Sequence, residues 1–212
     1  MTEHPPFDQR NGHRERVDAA PPLVLASTSP YRRELLGRLV ERFEVESPGV
    51  DEAPLAAETP RAAAMRLALA KARAVASRRP GAVVIGSDQT ATIDDVGIIG
   101  KPGDHARAKE QLRAASGRTM LFHTALSVVC PARGFERTEV VDTRVRFRRL
   151  DDAMIDAYLA REPAYDCAGS AKSEGLGIAL LESIDGPDPT ALVGLPLIAL
   201  TALLEAAGIR VL

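Results

Sequence analysis

Arg32, Glu52, Lys71, Asp88, Lys101, Lys172 and Glu174 are scattered along the chain but share one chemical use. Four are cations and three are carboxylates, on a chain whose net charge is −2. A local cationic excess without a global one suits a small polyphosphate held together with a divalent metal. It does not suit a nucleic-acid backbone, which needs a broad basic field.

Each residue alone has an ordinary alternative. Asp88 closes the apolar run "VVIGSD". A carboxylate at a strand mouth binds metal or activates water, or it caps a turn. If Asp94-Asp95 form a two-residue hairpin turn, Asp88 lies opposite Lys101. That pair is then a polar mouth or a weak cross-strand salt bridge. Lys71 shares a helix face with Leu67, Ala68, Ala74 and Val75, whereas Arg66 and Arg73 point elsewhere. An ammonium on an apolar stripe must meet an anion or snorkel to water. Glu52 and Glu174 are each a ligand or a solvated carboxylate. The loop "GSAKSEGLG" brings Lys172 together with backbone N–H groups that suit phosphate, but it lacks the Gly-Lys-Ser/Thr ending of a P-loop.

The stretch "LASTSPYRRELL" holds a further signal. Ser29 can cap a helix and Pro30 suits its first position. Arg32 and Arg33 oppose the positive end of the helix dipole. They are either solvated at a small cost or placed for an anion, beside hydroxyls and free N–H groups.

Positioning these groups is the task of one domain. Residues 1–20 are polar, proline-rich and aperiodic, and are expected to be a disordered extension, with a single domain over residues 21–212. An apolar fraction of 45% is ample for a core. No apolar run is long enough for a membrane span and no signal peptide opens the chain. Cys130 and Cys167 make no disulfide framework and fit a reduced, cytoplasmic protein. Neither has an evident partner for nucleophilic chemistry.

Strand-like and helix-like stretches alternate, which predicts an α/β architecture with a mixed sheet. Strands are expected at Leu23, around Phe43 to Glu46, and along "AVVIGSD", "TMLFHTALSVV", "EVVDTRVRFRRL" and "IALLESI". Helices are expected after the caps Ser29, Thr59, Asp104 and Asp151, and over most of "ALVGLPLIALTALLEAAG". His123 reads as structural and the arginines of "RVRFRRL" as a solvated face.

In order, "LASTSPYRRELL", Asp51-Glu52, "RLALAKA", "IGSDQ", "GKP", "ASG" and "GSAKSEGLG" make this chain similar to the Maf-like nucleotide pyrophosphatases. The resemblance runs from Leu23 nearly to the C-terminus. "GSDQ", "CAGSAKSEGLGIAL" and "DPTALVGLPLIAL" resemble the subgroup acting on 7-methyl-GTP; the other main subgroup prefers dTTP and UTP. The resemblance implies an elongated Maf/ITPase-like α/β fold with a mixed twisted sheet and two lobes around a central cleft. It implies cleavage of a nucleoside triphosphate between its α- and β-phosphates, with Mg²⁺ or Mn²⁺.

Asp88 matches the family's proton acceptor. Ser27, Arg32, Glu52, Lys71 and Lys101 match its phosphate- and metal-site positions, with Glu52 and Asp88 on the metal. Tyr31, Gln89 and Glu174 match positions that separate substrate classes. Arg33 and Lys172 join them as candidate substrate contacts. The expected partner is a small nucleotide, with no nucleic acid and no membrane; a homodimer stays open. Tyr31 stands where the subgroup often has tryptophan, a stronger cation–π partner, so selectivity is expected to be weaker or different. The hairpin "TIDDVGII" is a residue longer than the usual Asp-Gly turn. A pyrimidine substrate, or a non-catalytic nucleotide sensor linked to cell division, are the rival readings.

Overall fold

The computed structural model describes residues 21–93 and 97–212. The expected N-terminal extension and the Asp94-Asp95 turn lie outside the described residues. The elements run β1 (Leu23–Ala26), α1 (Pro30–Leu36), β2 (Glu44–Glu46), α2 (Pro60–Ala76), β3 (Val83–Ile93), α3 (His105–Ala115), β4 (Thr119–Cys130), β5 (Phe135–Phe147), α4 (Asp152–Arg161), β6 (Leu181–Asp185) and α5 (Leu197–Ala206). Among the described residues no helix is long and apolar enough to cross a membrane.

The strands form one mixed sheet in the order β2-β1-β3-β4-β5-β6. β1 is parallel to β2 and β3, whereas β3, β4, β5 and β6 pair antiparallel in sequence order. The parallel half follows from helical crossovers α1 and α2, the antiparallel half from short connections. Local capping fixes the helix starts. Ser29, Thr59, Asp104 and Asp151 each accept from the backbone N–H three residues on, as predicted.

The core is divided along β3. Near its start, Val83 and Ile85 pack with α1 and α5 on one face, and Val84 packs with Ala72, Val75 and Ala76 of α2 on the other. Near its end, Ala91 and Ile93 join a separate cluster with α3, α4, Met120 and Phe147. Between the two clusters lies Ser87 to Thr90.

Four elements differ from the sequence reading. β3 does not stop at Asp88; it runs on to Ile93, because β4 supplies a partner for every residue from Val84, with Asp88 opposite Ala125. Among the described residues no hairpin ladder joins Asp88 to Lys101; the following segment touches β3 through an isolated bridge, Ala91 to Ile99. The stretch from Ala191 to Pro196 is not helical, since Gly194 has φ of +122° and α5 begins only at Leu197. The start of "IALLESI" is likewise a 3₁₀ turn, Leu176–Leu180, ahead of β6. His123 is structural as expected, its Nδ1 lying 2.7 Å from Asp142 Oδ1. Arg144, Arg146, Arg148 and Arg149 are exposed, alternating at first with buried Val145 and Phe147.

Candidate active site

The cleft exists because β1 is short. β1 ends at Ala26, paired with Gly86. From Ser87 to Thr90, β3 has no strand neighbour on that side among the described residues. Asp88 and Gln89 point to opposite faces of the sheet, as neighbours in a strand must. At an open edge both still reach one cavity. It has a volume of about 590 Å³ and is lined by Ser27, Tyr31, Arg32, Glu52, Lys71, Asp88, Gln89, Lys101, Lys172 and Glu174 among others. It lies beyond the carboxyl end of a parallel strand, where α/β sheets commonly bind ligands. Arg33 is not among its lining residues. It is exposed and borders a separate surface hollow with Glu34, Gly37 and Phe43. One residue along a helix is a rotation of about 100°, which turns Arg33 away from Arg32.

Lys71 is buried at 5% exposure, and its stripe has drawn it onto carboxylates. Its Nζ lies 2.6 Å from Asp88 Oδ1 and 2.7 Å from Glu52 Oε1. The close approach of α2 to β3 depends on Gly86, where a Cβ would stand 2.3 Å from the Ala68 carbonyl oxygen and 2.6 Å from the Ala72 nitrogen. Burial pushes the Asp88 carboxyl above its ordinary value, against the opposing pull of Lys71 and Arg32. Burial also acts to raise Glu52, but the hydrogen bond and charge of Lys71, with Lys101 and Arg32, outweigh it and hold that carboxyl low. The two carboxylates therefore differ in kind: Asp88 is the stronger base, Glu52 the more firmly ionised.

Ser27 and Ser29 spend their oxygens locally, accepting from the backbone N–H of Ser29 and Arg32. Their hydroxyl protons remain for a ligand. Arg32 Nε donates to the Gly194 carbonyl at 2.9 Å, which aims the rest of the guanidinium at the cleft. Gln89 Nε2 lies within 3.1 Å of the Ala191 and Leu192 carbonyls and 2.8 Å from Thr124 Oγ1. Carbonyls only accept, so the amide N–H₂ faces them and its oxygen is left as an acceptor.

Several participants are not singled out by the sequence as individual residues. Arg66, read as pointing elsewhere, lines the cleft and is clamped by Glu58 at 2.6 and 2.7 Å. Asp166 also lines it, accepting from Tyr31 Oη at 3.1 Å and pairing with Lys172 Nζ at 2.9 Å. Gly194 serves through its backbone. Asp188 is buried and accepts from the backbone N–H of Thr190 and Ile198, so it pins the turn that bears the Ala191, Leu192 and Gly194 carbonyls. Cys167 borders the cleft, but burial, with Asp166 nearby, pushes its thiol up to about 12. It is no thiolate nucleophile near neutral pH.

For a divalent metal, the donor set is two carboxylates, each with one oxygen engaged by Lys71. Among the described residues no group of three or more His, Cys, Asp or Glu side chains forms a cage. Mg²⁺ and similar hard cations are often bound by one or two carboxylates plus substrate phosphates. Glu52 and Asp88 fit that mode.

Residues 22–207 match the family model described as "Maf-like protein". The "7-methyl-GTP pyrophosphatase" of Albidiferax ferrireducens is 58% identical over 190 residues, which is 90% of this chain and 95% of that one. Those so named from a Polaromonas species and from Burkholderia thailandensis are 62% and 61% identical, covering 89% and 91% of this chain and 85% and 90% of theirs. A cleft assembled from the end of β1, the start of α1, one side of α2 and the open edge of β3 thus lies within a match spanning nearly all the described residues, and the chain belongs to the Maf-like protein family.

Proposed function

We propose that the protein hydrolyses 7-methyl-GTP to 7-methyl-GMP and diphosphate. The observation that carries this reading is the buried Lys71 joined to both Asp88 and Glu52 in a cleft that also presents Arg32 and Lys101. The base is supported by relatives of that printed name at about 60% identity over about nine-tenths of the chain.

In this reading Ser27, Arg32 and Lys101 hold the phosphates, with Arg32 fixed by its bond to Gly194. Asp88 takes the proton from a water attacking the α-phosphorus. The new bond is water oxygen to phosphorus; the broken one runs from phosphorus to the bridging oxygen, which leaves with diphosphate. Lys71 offsets the negative charge that grows on the phosphate oxygens. Glu52 and Asp88 would hold a Mg²⁺ or Mn²⁺ ion, which supplies charge neutralisation and a more acidic water. Tyr31, Gln89 and Glu174 meet the base. Methylation at N7 makes guanine cationic, which favours an aromatic face and a carboxylate acceptor. Unpaired Cys130 and Cys167 suit a reducing cytosol.

Diphosphate release from 7-methyl-GTP, GTP, dTTP, UTP and CTP, measured side by side, tests the assignment. Release is expected to be fastest with 7-methyl-GTP. A pyrimidine preference would keep the chemistry and reject the base, and tight binding without release would favour a sensor. Chelation by EDTA is expected to bring release to background, with recovery on adding Mg²⁺ or Mn²⁺. Undiminished turnover in EDTA would remove the metal from the reaction.

A further inference from the structure

Tyr31 faces a cation already. Lys172 Nζ stands 5.6 Å from the centroid of the Tyr31 ring. The same ammonium is 2.9 Å from Asp166 Oδ1, and Asp166 Oδ2 accepts from the Tyr31 hydroxyl at 3.1 Å. All three residues line the cleft. The arrangement is tied down on both sides. The Lys172 backbone N–H donates to Tyr158 Oη at 3.1 Å, and the Gly177 N–H to Glu162 Oε2 at 3.0 Å. A Cβ at Gly177 would come within 2.5 Å of the Lys172 backbone, so this loop is folded tightly on itself. The Lys172 side chain is only 18% exposed, whereas that of Asp166 is 57% exposed. The carboxylate therefore remains open to the cleft while the ammonium covers the ring.

We infer that Asp166 is a specificity-determining residue that selects a positively charged base, and that Lys172 is the stand-in cation such a base displaces. The inference rests on the proposed substrate and goes beyond its assigned base contacts. An incoming 7-methylguanine takes over both interactions of the ammonium, the aromatic face and the neighbouring carboxylate. A neutral guanine displacing Lys172 regains neither charge term. The tyrosine hydroxyl matters here as well: it ties the ring edge to Asp166, so ring and counter-ion move as one unit.

Kinetics of the full-length wild type, D166N and K172M with 7-methyl-GTP and GTP test this. D166N is expected to lower kcat/KM for 7-methyl-GTP about tenfold more than for GTP, mainly through KM. K172M is expected to lower KM for both nucleotides by a similar factor, because neither base then has to displace the ammonium. A merely structural role for Asp166 would affect both nucleotides alike. A wild type that prefers 7-methyl-GTP and a D166N variant that keeps the full preference would overturn the inference alone. So would a K172M variant whose KM rises equally for both nucleotides, which would assign Lys172 to the triphosphate. A wild type without the preference would overturn the proposed substrate and the inference together.

Discussion

Replacing Asp88 with asparagine is expected to lower kcat for diphosphate release by roughly 10³-fold, within the range for loss of a positioned base. Asparagine keeps the shape and an acceptor oxygen but cannot take a proton. The fold should tolerate it. Lys71 keeps its second partner, Glu52, at 2.7 Å, so no unpaired ammonium is left buried. Nucleotide affinity should survive, since one carboxylate fewer faces the phosphates. Diphosphate release and calorimetric titration of the same preparation check the two halves. Turnover near wild type would remove Asp88 from the role of base, whereas lost binding would make it a structural anchor.

Gly86→Ala is the other substitution with a large expected effect, and it touches no ligand. The added methyl would meet the backbone of α2 at 2.3 and 2.6 Å, and backbone does not give way as a flexible side chain does. α2 must shift outward, carrying Lys71 from Asp88. Overpacking of this kind costs about 1–3 kcal/mol. A displacement of about 1 Å at reacting groups costs about 10²-fold in rate. Thermal unfolding with kinetics on the folded fraction separates the two. Unchanged stability and activity would mean that the helix is not set by this contact.

Much of the molecule was legible because the signals are local. A cap and its N–H lie three residues apart, so Ser29, Thr59, Asp104 and Asp151 announce their helices. Lys71 announces itself by sharing a face with Leu67 and Ala68. Glu174 stands out in the glycine-rich loop, the resemblance adds Tyr31 and Gln89, and the cleft gathers all three. What escaped depends on distant partners. β3 passes Asp88 because β4, over thirty residues on, pairs with it. Arg66 shares no face with Lys71, yet a clamp by Glu58 turns it to the cleft. Asp166 has neighbours in space, Tyr31 foremost, that are 135 residues away in sequence. The Gln89 amide is held by carbonyls 102 and 103 residues on. Arg33 opposes the helix dipole as Arg32 does, but one residue's rotation carries it to the outer face, away from the cleft.

The open edge of β3 has a consequence for solubility. An unpaired strand edge is a template on which another chain can add a strand and start aggregation. Here that edge faces a cavity lined by Lys71, Asp88 and Lys101, and an intruding strand would have to strip water from exposed Lys101 and break into the buried Lys71–Asp88 pair. The gap that admits a small ligand thus excludes a polypeptide, and the charges in the cleft double as gatekeepers against self-association.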